Sequence, residues 1–174
     1  MSARETRGTH GRRRPAATGA AVLFVTALCA WGAAAAAADF DAGMRAANMR
    51  DYATALREWR PLAEQDDMRA QYYLGMLYEE GRGVPRDPGA AASWYRRAAA
   101  QGHAQAQNAL GILYVQGSGV GRDPVAAYKW FALAARNGDG FAGRNLAKLA
   151  GMLSAEEIAR GEQSIRDHVS GNGR

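Results

Sequence analysis

Set against itself at an offset of 36, the chain repeats: residues 69–104 fall on 105–140 with 18 of 36 positions identical. The matched pairs include Ala70/Ala106, Gln71/Gln107, Leu74/Leu110, Gly75/Gly111, Leu77/Leu113 and Tyr78/Tyr114. They continue through Gly81/Gly117, Gly83/Gly119, Val84/Val120 and a shared Arg-Asp-Pro, and close with Trp94/Trp130, Ala98/Ala134 and Gly102/Gly138. Self-similarity at this period means stacked units, each burying its apolar face only against its neighbours.

Each unit reads as two helices. Ala70, Tyr73, Leu74, Leu77 and Tyr78 follow the i, i+3, i+4, i+7, i+8 spacing of one helical stripe. Gly81 stops that helix, because glycine enters the left-handed cap cheaply. Asp87-Pro88 opens the second helix: Asp accepts from exposed N–H groups, and Pro at the first position lacks the N–H that would go unpaired. Ala91, Trp94, Tyr95 and Ala98 form its stripe, and Gly102 ends it. Gly75 and Gly111 fall inside helices, where Gly costs about 1 kcal/mol against Ala. A cost paid twice at one register implies close approach of the paired helix, by Ala98/Ala134 or the Trp94/Trp130 ring. Trp59, Trp94 and Trp130 read as matched positions. Residues 39–68 form a shorter first hairpin, with Asp51 as a cap, a kink at Pro61 and Asp66-Asp67 in place of the terminating Gly. Residues 141–174 form a degenerate capping unit: Leu146 continues the register, Ser154 to Glu157 spell a capping box, and the tail from Ser170 frays.

The leading 38 residues differ in kind. They hold five Arg against one acid, which leaves 17 basic and 16 acidic residues in the rest. The overall net charge of +5 is thus no nucleic-acid footprint of the folded part. Arg12-Arg13-Arg14, a short apolar run around 20–30 and Ala36-Ala37-Ala38 make a secretory signal with cleavage expected after Ala38. The apolar run is shorter than the roughly 20 residues a spanning helix needs. An exported protein, periplasmic or secreted, with no membrane insertion after cleavage is the expectation. Cys29, the single Cys, lies in this segment, so a disulfide framework within the chain is excluded.

The stretches AQYYLGMLYEEGRGVPRDPGAAASWYRRAAAQGHA (70–104) and AQNALGILYVQGSGVGRDPVAAYKWFALAARNGDG (106–140) resemble Sel-one-like repeats, a longer-looped relative of the tetratricopeptide repeat. DYATALREWRPLAEQ (51–65) resembles the opening hairpin of bacterial members. The resemblance implies an all-α, right-handed superhelix of helix hairpins that acts as a protein-interaction scaffold. Exported bacterial members of this kind are periplasmic adaptors and regulators of envelope signalling.

No motif for catalysis or for a cofactor emerges. His103 and His168 have no partner at metal-ligand spacing and read as solvated residues. The Gly81–Val84 and Gly117–Val120 loops follow helices, whereas a phosphate cradle follows a strand. A non-catalytic protein that binds a protein or peptide on the face of its first helices is the reading that remains. Its groove candidates are Arg69, Tyr72, Met76 and Glu79; then Gln105, Asn108, Ile112 and Val115; then Phe141, Arg144 and Lys148. Phe40, Met44 and Ala47 hold the matched places in the first hairpin. The two full repeats agree at none of their four groove positions. Arg144 and Lys148 suit an acidic group. An alternative is that Ile112 and Val115 only pack against neighbouring helices. A glycan binder or hydrolase using the Trp residues, and a membrane-tethered subunit, are the rival functions.

Overall fold

The computed structural model describes residues 38–172; the expected leader, apart from Ala38, lies outside them. The described chain forms α1 (Phe40–Asn48), α2 (Tyr52–Glu64), α3 (Met68–Glu80), α4 (Pro88–Ala100), α5 (Ala104–Gln116), α6 (Pro124–Arg136), α7 (Ala142–Ala150) and α8 (Ala155–Asn172). No strand occurs among the described residues. The hairpins α1/α2, α3/α4 and α5/α6 stack through α2 on α3, α4 on α5 and α6 on α7, giving an all-α solenoid.

Side-chain caps set where the helices begin. Asp51, Asp67, Asp87 and Asp123 each accept from N–H groups two or three residues on, at 2.8–3.1 Å. At the start of α5 a histidine does this work: His103 Nδ1 accepts from the Ala106 N–H at 3.3 Å. Gly81 and Gly117 end α3 and α5 in the left-handed region, φ +70° and +69°. Where the first hairpin lacks glycine, Arg50 (φ 62°) and Asp66 (φ 67°) take that conformation. Helix α2 runs through Pro61 for three further residues. The capping box closes as read: the Ser154 N–H donates to Glu157, and the Glu157 N–H to Ser154 Oγ. Helix α8 then continues to Asn172, past the Ser170 at which fraying is expected.

The glycines inside helices do mark close approach, but by a ring one residue further along. A Cβ on Gly75 would lie 2.6 Å from the Tyr95 ring, and one on Gly111 2.6 Å from Phe131. Trp59 covers Gly43 in the first hairpin. The packing register is therefore Trp59, Tyr95, Phe131, and Trp59 does not match Trp94 and Trp130 as the sequence suggests. The GxGV loops have their own docking role. The second glycine of each reaches back to the preceding hairpin, Gly83 onto Tyr52 and Gly119 onto the Pro88–Gly89 peptide. Each Arg of the Arg-Asp-Pro folds back so that Nε donates to the end of the preceding helix, Arg86 to Glu79 O and Arg122 to Val115 O.

The last pair is not a hairpin of the same kind. Helix α8 packs on α6 and barely touches α7. Gly161 sits against Tyr128, His168 lies edge-on to Trp130, and Ile165 packs on the core cluster that contains Trp130. Trp130 is consequently buried, whereas Trp94, on an equivalent backdrop, keeps a partly exposed ring under the Arg97 guanidinium.

Candidate functional site

The first helices α1, α3, α5 and α7 carry the residues expected to form the groove, and the structure divides those residues by use. Some are spent on packing. Tyr72 is half-buried, stacked on His103 at 4.8 Å and edge-on to Tyr73 at 5.2 Å. Glu79 accepts from the buried Tyr95 hydroxyl at 2.7 Å. Burial, with that carboxylate, keeps the Tyr95 phenol neutral by pushing its pKa well above the usual value. Asn108 Oδ1 accepts from Asn145 Nδ2 at 2.9 Å, tying α5 to α7.

Others are available. Arg69 is exposed, paired with Asp67 at 3.0 Å and laid over the Phe40 ring. Gln105, Arg144 and Lys148 are exposed. Phe141 is 64% exposed and precedes α7, where Asp139 caps the turn by accepting from the Phe141 and Ala142 N–H groups. Arg144 lies over the Phe141 ring at 5.0 Å. Neither Arg144 nor Lys148 has an ion pair among the described residues.

Ile112, Val115 and Lys148 come together. With Phe131, Leu149 and Met152 they line an apolar notch of about 160 Å³ between α5 and α7. Ile112 and Val115 do pack against neighbours, as the alternative held, and at the same time they wall this opening. A corresponding notch of about 120 Å³ lies between α1 and α3, lined by Met44, Ala47, Trp59, Tyr73, Met76 and Leu77, with Asn48, Tyr52 and Arg82 completing its wall. The floor is the register aromatic in each case, Phe131 and Trp59. Sequence reading missed those floor residues because it followed the recurring Trp letters; the change of Tyr95 to Phe131 in step with Glu79 to Val115 was the available signal.

Two buried amides were also missed. Gln71 Nε2 donates to Ala63 O and Asp66, while Gln71 Oε1 accepts from Gln101. Gln107 likewise donates to Ala99 O and accepts from Asn137. Each satisfies a carbonyl at the end of the preceding hairpin, which explains a polar residue on an apolar stripe. The identity of Gln71 and Gln107 across the repeats carried that information.

His103 is half-buried, a structural cap where a solvated residue is expected, and desolvation lowers its pKa below the usual 6.5. Among the described residues no group of three or more His, Cys, Asp or Glu side chains is placed to hold a metal ion. None of the helices described is long and apolar enough to cross a membrane.

Comparison with known proteins agrees with this architecture. The Sel1 repeat family model matches residues 69–103 and 104–139. A crystal structure of a protective antigen of uropathogenic Escherichia coli strains, displaying an SLR fold, superposes with a TM-score of 0.70 at 31% identity, over 74% of this chain and 28% of that one. A Sel1 repeat protein from Oxalobacter formigenes gives 0.63 at 27% identity, over 75% and 56%. The chain thus spans well under two thirds of either relative. No curated protein matches it. Sel1 repeat proteins generally mediate protein–protein interaction, and their scaffolds are typically non-catalytic. Residues 69–139, two repeats at matched register in a stack of helical hairpins, are Sel1 repeats.

Proposed function

We propose that this protein is a non-catalytic adaptor that holds a partner polypeptide on the face of its first helices, in the cell envelope. The observation that carries the reading is the contrast along that face. Packing positions repeat between units, while Arg69, Met76, Ile112, Arg144 and Lys148 differ from their counterparts and stay at least partly open. Stacked hairpins use such a surface for binding, because it is continuous across units and free to vary without loss of the core. Export is inferred from the leader, whose Arg run, apolar stretch and Ala36-Ala37-Ala38 fit a cleaved signal. A Trp-based glycan platform fits less well, since of the three described Trp residues Trp59 and Trp130 are 0% and 6% exposed and Trp94 alone shows more of its ring.

The test is affinity capture from envelope extract with wild type and an Arg69→Ala, Lys148→Ala variant. Both substitutions remove exposed side chains and leave the core intact, so they separate binding from folding better than truncating the half-buried Tyr72. Loss of a defined partner from the variant supports the groove; identical partner sets reject it. Intact mass of the exported protein, with a start at Asp39, is the expected outcome for the leader.

A further inference from the structure

The two notches occupy the same place in the repeat, two levels apart, and the level between them is built differently. In the middle level the floor ring is Tyr95, and its hydroxyl reaches across to Glu79. In the last level Phe131 has no hydroxyl and Val115 stands in place of Glu79, so the opening stays apolar. In the first level Ala47 holds that position, and the opening again stays apolar. Openings of about 120 and 160 Å³ with mostly apolar walls are the size that accepts one compact apolar guest, roughly 150 Å³ in the best-studied case.

We propose that the two notches are paired anchor sites for one extended segment of a partner protein, which seats an apolar side chain in each. This rests on the adaptor reading and names what the face recognises. Successive first helices meet through side chains, Phe40 on Tyr73 and Asn108 on Asn145, so they lie roughly 10 Å apart and two levels separate the notches by roughly 20 Å. An extended chain advances about 3.3 Å per residue and points alternate side chains the same way, which places the two anchors about six residues apart. The middle level, where the Tyr95 hydroxyl is bonded to Glu79, is then spanned by backbone. The charge is asymmetric: the cation at the first notch, Arg82, is paired with Glu80, whereas Lys148 on the wall of the second notch and Arg144 one turn earlier on α7 have no ion pair among the described residues. An acidic residue next to the second anchor answers them.

The test is fluorescence anisotropy of labelled synthetic peptides against the full-length protein. The main probe is a Ser/Thr peptide of about eleven residues with two leucines six apart and an aspartate after the second. Controls carry one leucine, leucines four apart, or lysine in place of aspartate. The six-spaced peptide is expected to bind roughly tenfold tighter than the single-leucine peptide. The Val115→Glu, Phe131→Tyr variant rebuilds in the last level the pair that closes the middle one, and should erase that gain. Circular dichroism checks its fold, and if it does not fold, Lys148→Glu decides: this exposed change should reverse the preference from the aspartate to the lysine peptide. Absence of binding, indifference to leucine spacing, or unchanged preference in Lys148→Glu overturns the proposal. Partner capture that survives such a result leaves the adaptor reading standing and removes only the notches.

Discussion

Replacing Gly119 by Ala probes the joint between hairpins at a single methyl group. A Cβ at this position would clash with both atoms of the Pro88 carbonyl and lie 2.5 Å from the Gly89 nitrogen. These are backbone atoms at the start of α4 and cannot rotate away. The left-handed φ of +69° adds about 1 kcal/mol for a non-glycine residue. Overpacking against rigid neighbours costs about 1–3 kcal/mol more, giving a loss of about 2–4 kcal/mol. Gly117→Ala is the internal control. It has the same φ of +69°, but its nearest contact is the Arg122 Cβ at 3.2 Å, so only the conformational cost of about 1 kcal/mol is expected. For a folded part of this size, roughly 3–5 °C per kcal/mol separates the two variants in thermal unfolding followed by far-ultraviolet circular dichroism. Gly119→Ala should melt roughly 10 °C below wild type and Gly117→Ala about 4 °C below. Equal melting temperatures for the two would refute the docking role of the GxGV loop.

Acid should loosen the boundary between α4 and α5. His103 must be neutral at Nδ1 to accept from Ala106, and desolvation holds its folded pKa below the ordinary value of 6.5. The unfolded chain therefore takes up the proton first, and the contribution present above about pH 6.5 is lost as pH falls through the folded value. Asp67 faces this ring and opposes part of the shift, Tyr72 stacks on it, and a partly buried His168, shifted the same way by desolvation and by Lys129, adds to the acid sensitivity. His103→Asp, the cap residue used by α3, should flatten the fall in melting temperature between pH 7.5 and 5.5 by about half; an unchanged slope rejects the cap as its source. Gln107→Leu removes a buried donor from Ala99 O and an acceptor from Asn137, with an expected loss of about 1–3 kcal/mol in urea unfolding. A change under 0.5 kcal/mol would show that water replaces both bonds.

Local chemistry was readable wherever a residue acts on its own backbone. Asp51, Asp87 and Asp123 cap the helices they precede, Gly81 and Gly117 end theirs, and Ser154 and Glu157 close their box. What depends on a neighbour in space was harder to read. Identity between repeats drew attention to Trp94 and Trp130, but the ring that meets Gly75 or Gly111 changes from Tyr to Phe, and only its size and place are kept. Tyr72 and Glu79 vary between repeats as binding residues do, yet they serve a stack with His103 and a bond to Tyr95, because unequal repeats also pack unequally. The docking of α8 on α6 gives no periodic signal, since it occurs once.

The buried amides decide how evenly the solenoid resists bending. Gln71 touches α2 through Ala63 and the end of α4 through Gln101; Gln107 touches α4 through Ala99 and the end of α6 through Asn137. Directional bonds of fixed length at those two joints hold the angle between successive levels. In the third joint the matching residue is Gly143, exposed and with open space around it, and among the described residues the one side-chain hydrogen bond between α5 and α7 is Asn145 to Asn108, beside apolar contacts. Stiffness is thus concentrated in the first two joints, and a load on the face of the first helices should open the α5–α7 joint first, the compliant end of an otherwise rigid curve.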